Sequence, residues 1–142
     1  MSGKKTWAQR LCDGKQPEVK PAPIDIAGMK AGQIMLVPTA ELVDRFIRSI
    51  PRGQSLTAKE LRGAMAAAHG AEVTCPITTG FHLRTVAEAA WEALAGGAPV
   101  DTLTPVWRVL PPGSLTLGKL SFDAGFIRHQ RALEGLDAND PR

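Results

Sequence analysis

The sequence predicts a mainly α fold with a small β wing, a winged helix-turn-helix, and three observations carry that expectation. One helix opens at Thr57-Ala58-Lys59-Glu60, with the Thr-x-x-Glu spacing that satisfies the free amides of a helix start, and closes at His69-Gly70. A second, from Thr79 to Leu94, sets Phe81, Leu83, Val86, Ala87, Ala90 and Leu94 near one face and Arg84, Glu88 and Glu92 on another. Beyond it, Thr104-Pro105-Val106-Trp107-Arg108-Val109 reads as a strand, Pro111-Pro112-Gly113-Ser114 as a turn, and the following residues as a second strand. Helix pair, strand, turn and strand form a DNA-reading layout.

Taken in order, residues 1–32 form a basic, proline-containing leader. A short helix is expected around Trp7-Ala8-Gln9-Arg10-Leu11, and Pro17, Pro21 and Pro23 force the next stretch to be extended. Trp7 gives this arm a large apolar side chain, which favours docking onto the body; the rival role is an arm tracking DNA phosphates. Gln33-Ile34-Met35-Leu36-Val37 has the apolar run of a strand. Thr39 then caps a helix from Ala40 to Ile50, with Leu42, Val43, Phe46, Ile47 and Ile50 as its apolar stripe. Ala71 to Gly80 reads as a connection longer than a compact helix-turn-helix turn, able to shape a pocket. A last helix runs from Ser121 to Leu136, with Phe126, Ile127 and Leu133 inward and Arg128, His129 and Arg131 outward. The body is thus 33–136 and the tail 137–142.

At 142 residues and 44% apolar content, the chain fits one domain with a single core. The formal net charge of +3 lies wholly in residues 1–37, which hold six cations and three acids, whereas 38–142 hold eleven of each. A neutral body weakens the simplest electrostatic argument for nucleic acid, unless its arginines cluster, for which Arg45, Arg48, Arg52, Arg62, Arg84 and Arg108 are the candidates. No apolar run reaches membrane-spanning length and Met1-Ser2-Gly3-Lys4-Lys5 lacks the apolar core of a signal, so a cytoplasmic location and no membrane partner are expected. Cys12 and Cys75 are far apart and outside any Cys/His cluster, so no metal is expected and reduced thiols are the default.

Between Leu36 and Leu136 the motifs Ile50-Pro51-x-Gly53, Thr57-x-x-Glu60-Leu61, Leu83-Arg84-Thr85-Val86-Ala87, Pro105-x-x-Arg108-Val109, Gly113-Ser114-Leu115 and Leu133-Glu134-Gly135 occur in one order. In that order and spacing the chain resembles the DNA-binding domain of the alkylguanine-DNA alkyltransferases. The resemblance implies their C-terminal-domain fold and a repair role. The family's active-site motif is Pro-Cys-His-Arg-Val, in which the cysteine accepts the alkyl group and the histidine helps deprotonate it through water. Here those positions read Pro105-Val106-Trp107-Arg108-Val109. Valine has no lone pair and the indole nitrogen is a donor only, so neither nucleophile nor base is present at them.

Alkyltransferase-like members of the family also lack the cysteine and bind damaged DNA for other repair machinery, though they usually keep the histidine. Arg84 matches the arginine that the family inserts into the duplex in place of a flipped nucleotide; as a plain surface residue it would pair with Glu88. Ala58 stands where the family has a tyrosine that assists flipping, and Glu134 matches the glutamate that holds the histidine; with Trp107 in that histidine's place, its expected role is capping or pairing with an arginine. The resemblance and the layout together nominate Arg84, Thr79, His82, Thr85, Arg108 and Lys59 as DNA contacts, and Pro105, Val106, Trp107 and Ser114 as a lesion pocket. Trp107 either stacks on a flipped base or belongs to the core, and His82 either contacts DNA or is a surface histidine.

The expected function is non-catalytic binding of duplex DNA, including DNA with an alkylated guanine, by nucleotide flipping. Duplex DNA and a repair protein are the expected partners, and no cofactor is called for. Two other classes stay open: a protein-interaction module on the same scaffold, and a thiol alkyl acceptor at Cys75, which precedes a helix start whose partial charge favours thiolate.

Overall fold

In a computed structural model of the chain, residues 6–138 are described; Lys4 and Lys5 of the leader and most of the 137–142 tail lie outside them. The molecule is mainly helical, with a small three-stranded sheet at one side. In chain order the elements are α1 (Trp7–Leu11), β1 (Glu18–Pro21), β2 (Ile34–Val37), α2 (Ala40–Arg48), α3 (Ala58–Ala68), β3 (Val73–Thr74), α4 (Pro76–Ala95) and α5 (Gly125–Leu133). Between α4 and α5 the backbone winds into three short 3-10 turns, Val100–Thr102, Val106–Val109 and Leu115–Lys119.

The predicted caps form. Thr39 accepts from the Leu42 amide at 3.2 Å. Thr57 and Glu60 exchange reciprocal bonds of 3.1 and 2.8 Å, a capping box of a kind whose removal costs about 1 kcal/mol. Gly70 follows α3 at φ 66, the left-handed position that glycine fills without strain. Leu42, Val43 and Ile47 of α2, Leu61 and Met65 of α3, and Leu83, Val86 and Ala87 of α4 join Val106, Trp107, Val109, Leu110 and Ile127 in one core.

The stretch from Ala71 to Gly80 is not a simple connection. Val73–Thr74 adds a parallel strand beside Met35 and Leu36, and α4 begins at Pro76 rather than Thr79. Proline suits the first helical position, where its missing N–H has no partner to lose. Cys75 is the N-cap, its thiol taking a hydrogen bond from Thr78 Oγ1 at 3.1 Å. The strands expected on either side of Pro111 to Ser114 are also corrected, since both flanks are 3-10 turns. Pro105, Pro111 and Pro112 lack the donors a ladder needs, and turns such as Arg108 N to Pro105 O at 3.0 Å replace it.

Four side chains exchange sides relative to the sequence expectation. Phe81 points out of α4 and is 67% exposed, Leu133 points out of α5, and Arg131 points in. Glu88, expected on the polar face, is 1% exposed and accepts from the Ser121 amide at 2.6 Å and from its hydroxyl. The exchanges follow from packing that periodicity cannot see: Ser121 lies across α4 and supplies donors to Glu88, and among the described residues no element covers Phe81.

The leader is built into this body. β1 pairs antiparallel with β2, Glu18 opposite Val37 and Pro21 opposite Ile34, as an edge strand that tolerates proline. The amides of Trp7 and Ala8, free at the start of α1, each donate to the Glu92 carboxylate of α4 at 3.2 Å. The Trp7 ring lies 4.6 Å from the Arg10 guanidinium and 5.5 Å from that of Arg84. Truncation of this anchor, Trp7→Ala, is expected to release α1. Tryptic cleavage at Arg10 should accelerate at least about tenfold, while the unfolding free energy of the body falls by no more than about 1 kcal/mol, the scale of one half-buried contact. Unchanged cleavage would show that Trp7 does not hold the leader.

Candidate functional site

The turn Val106–Val109 carries the residues of most interest, and its rigidity comes from one carboxylate. Val106, Trp107 and Val109 are buried, which leaves Arg108 to reach outward. Glu134, at the end of α5, accepts from Trp107 Nε1 at 2.7 Å, Arg108 Nε at 2.9 Å, Arg108 Nη2 at 2.9 Å and the Gly53 amide at 2.9 Å. Arg108 Nη1 donates to the Ile50 carbonyl at 2.7 Å. From the other side Arg131, 3% exposed, donates to the Trp107 carbonyl at 2.7 Å and to Ser55 Oγ at 3.0 Å. Burial pushes the Glu134 carboxyl up, but the bonds from Arg108, Gly53 and Trp107 outweigh it and bring it down to about 2. Burial also lowers the Arg131 guanidinium, against the charges of Asp137 and Glu134.

Beside this hub lie two open recesses. One, of about 380 Å³, is a groove between the starts of α3 and α4 and the segment 109–116, and Lys59, Arg62, Thr79, Gly80 and Ser114 are among its lining residues. The other, of about 490 Å³, lies on the Glu134 side and is lined by Arg48, Arg52, Asp101, Pro105 and Trp107 among others. The four residues expected to form one lesion pocket are therefore divided. Ser114 lines the groove, Pro105 and Trp107 line the second recess, and Val106, 1% exposed, lines neither. Trp107 is core: 4% exposed, edge-on to Phe126 at 6.0 Å, its only donor spent on Glu134.

The expected DNA contacts divide in the same way. Lys59 is exposed at the groove mouth. Thr79 lines the groove but is 1% exposed, and its hydroxyl donates to the Cys75 carbonyl at 2.7 Å. Thr85 donates back to the Phe81 carbonyl at 3.1 Å. Arg108 is consumed by Glu134 and Ile50. His82 is half-buried; burial lowers its imidazole, against the Pro38 carbonyl and Asp13, which favour protonation. Arg84 is partly exposed, its Nε 4.0 Å from Glu88 and without a hydrogen bond. Cys75 lines neither recess and packs beside Ala22, Met29 and Met35 in a second, smaller cluster.

Arg62, one of the arginines considered for a basic cluster though not nominated as a contact, faces the groove from α3 one turn beyond Lys59, at the i, i+3 spacing that sets two cations on one helix face. Among the described residues neither forms an ion pair, no group of His, Cys, Asp or Glu is arranged to hold a metal, and no helix is long and apolar enough to cross a membrane.

The depressed carboxyl of Glu134 makes a pH prediction. A group whose folded value lies below its unfolded value of about 4.5 stabilises fully above that pH, and the benefit disappears as pH falls through about 2. The side chain is 2% exposed, so the shift corresponds to about 3 kcal/mol at most. Glu134→Gln should lose up to that amount at pH 7 in urea unfolding and flatten the fall in stability below pH 4.5. An unaltered acid limb in the variant would refute this assignment.

Compared with protein-family models, curated proteins and solved structures, the chain shows no match in any of the three.

Proposed function

We propose that this chain is a non-catalytic, alkyltransferase-like DNA-binding protein that grips duplex DNA through the groove between α3, α4 and the 109–116 segment. In this reading α3 and α4 are the helix-turn-helix pair, the Pro111–Ser114 turn is a looped wing, and duplex carrying an alkylated guanine is the preferred target in repair. One observation carries it. The only charged side chains lining the groove are Lys59 and Arg62, both cationic, both unpaired among the described residues, at a place where two helix starts add their own partial positive charge. A body neutral as a whole thereby presents a locally basic concave face, which is what phosphate binding requires.

Alkyl transfer has no support at the family position. Val106 has no reactive atom and is sealed in the core, and Trp107 offers one N–H and no lone pair. A second reading, a protein-interaction module on the same scaffold, is favoured by the exposed apolar side chains Ile77, Phe81 and Leu115.

Fluorescence anisotropy with plain and alkylguanine duplexes separates the two. Binding should weaken steeply with salt, the alkylated duplex should bind more tightly, and the double variant Lys59→Ala/Arg62→Ala should lower affinity about tenfold or more at low salt and reduce the salt slope by about 2. Intact mass after incubation should be unchanged. No binding at low salt would remove the DNA reading in favour of the interaction module, and a mass increase on Cys75 would reinstate a thiol acceptor.

A further inference from the structure

We propose that Phe81, not Arg84, is the side chain that enters the duplex, as an apolar wedge between neighbouring base pairs; this rests on the DNA-binding reading above. Ile77, Phe81 and Arg84 lie at i, i+4 and i+7 of α4 and so share one strip of the helix. Their states differ sharply. Arg84 lies between Glu88 and the Trp7 ring, 4.0 Å from the carboxylate and 5.5 Å from the ring centroid. Glu88 cannot follow it outward, because it is buried and held by Ser121. Moving the guanidinium into a base stack would leave that carboxylate without its cation and would displace the leader.

Phe81 has no such ties. It is 67% exposed, and among the described residues no aromatic ring pairs with it. It stands next to Gly80, which lines the groove, with Ile77 49% exposed one turn earlier and Leu115 86% exposed on the segment that forms the other lip. An apolar patch astride a groove whose only charges are Lys59 and Arg62 is complementary to one class of partner in particular. Duplex nucleic acid presents phosphates to the cations and, once a step is opened, apolar base faces to the ring. Proteins that kink DNA use Phe, Ile and Leu in this way, and a ring accepts either base because every base has a π face. A partner protein would have to bring carboxylates to Lys59 and Arg62 together with an apolar face for the trio, whereas duplex nucleic acid carries both as a matter of course.

The test uses the full chain and a duplex carrying 2-aminopurine at its central step, whose fluorescence rises on unstacking. Wild type should bind and raise the signal. Phe81→Ala, a surface change that leaves circular dichroism unaltered, should lose most of the rise and about tenfold in affinity, the scale of one base–aromatic stack. Phe81→Leu should recover part of both, and Arg84→Ala should change neither by more than about twofold, within the range of surface substitutions. A full rise with Phe81→Ala, or its loss with Arg84→Ala, overturns the wedge while DNA binding stands. No anisotropy change with any chain at low salt removes the DNA reading and the wedge with it.

Discussion

The fold depends on a carboxylate that water cannot reach. Glu134 joins the end of α5, the Val106–Val109 turn and the Gly53 turn after α2, three segments that are distant in sequence. Burying a negative charge is unfavourable unless every oxygen is occupied, and here a guanidinium, an indole N–H and a backbone amide occupy them. The consequences travel outward. Arg108, held by Glu134, donates to Ile50 and accepts through its carbonyl from the Leu56 amide at 2.8 Å, so the chain entering α3 is fixed in place. The start of α3 is one wall of the groove, which makes the groove's shape a downstream effect of this single carboxylate.

The opposite wall is set by α4, and that helix is divided along its length. Its C-terminal half is packed against neighbouring elements, with Trp91 stacked on Phe122 at 4.7 Å and near Phe126, Glu92 capping the leader helix and Ala90 in the core. Its N-terminal half keeps Leu83 and Thr79 inward but leaves Ile77 and Phe81 in solvent. A helix anchored along one half and open at the other can present its first turns to a partner without paying further ordering entropy. The leader contributes to this rigidity, since α1 and β1 close the two edges that α4 and β2 would otherwise expose.

Much of this organisation is legible in the sequence where a local rule decides the outcome. The caps at Thr39 and Thr57, the break at Gly70 and the stripe of α2 depend only on neighbours three or four residues away, and they form as read. What escapes is decided by distant partners. Val73–Thr74 is too short to show alternation and becomes a strand only because Met35 and Leu36 offer an open edge. Arg131 looks like a surface residue until the Trp107 carbonyl and Ser55 surround it, and Phe81 looks like core until no element covers it. The residues expected to share one lesion pocket are divided for the same reason, since adjacent residues on a 3-10 turn point in different directions. Pro105 and Val106 are neighbours in sequence and face different surroundings.

The Trp107–Glu134 bond shows what an indole at this position of the turn can and cannot do. An imidazole at that position could donate to Glu134 with one nitrogen and accept with the other, and the second nitrogen is what a proton relay needs. Indole keeps the first function and lacks the second. Its ring also fills space against Phe126. Val106, beside it, is a branched hydrocarbon in a site that is 1% exposed. Both side chains add apolar contact to the core, and the indole N–H supplies the hydrogen bond that orders the turn.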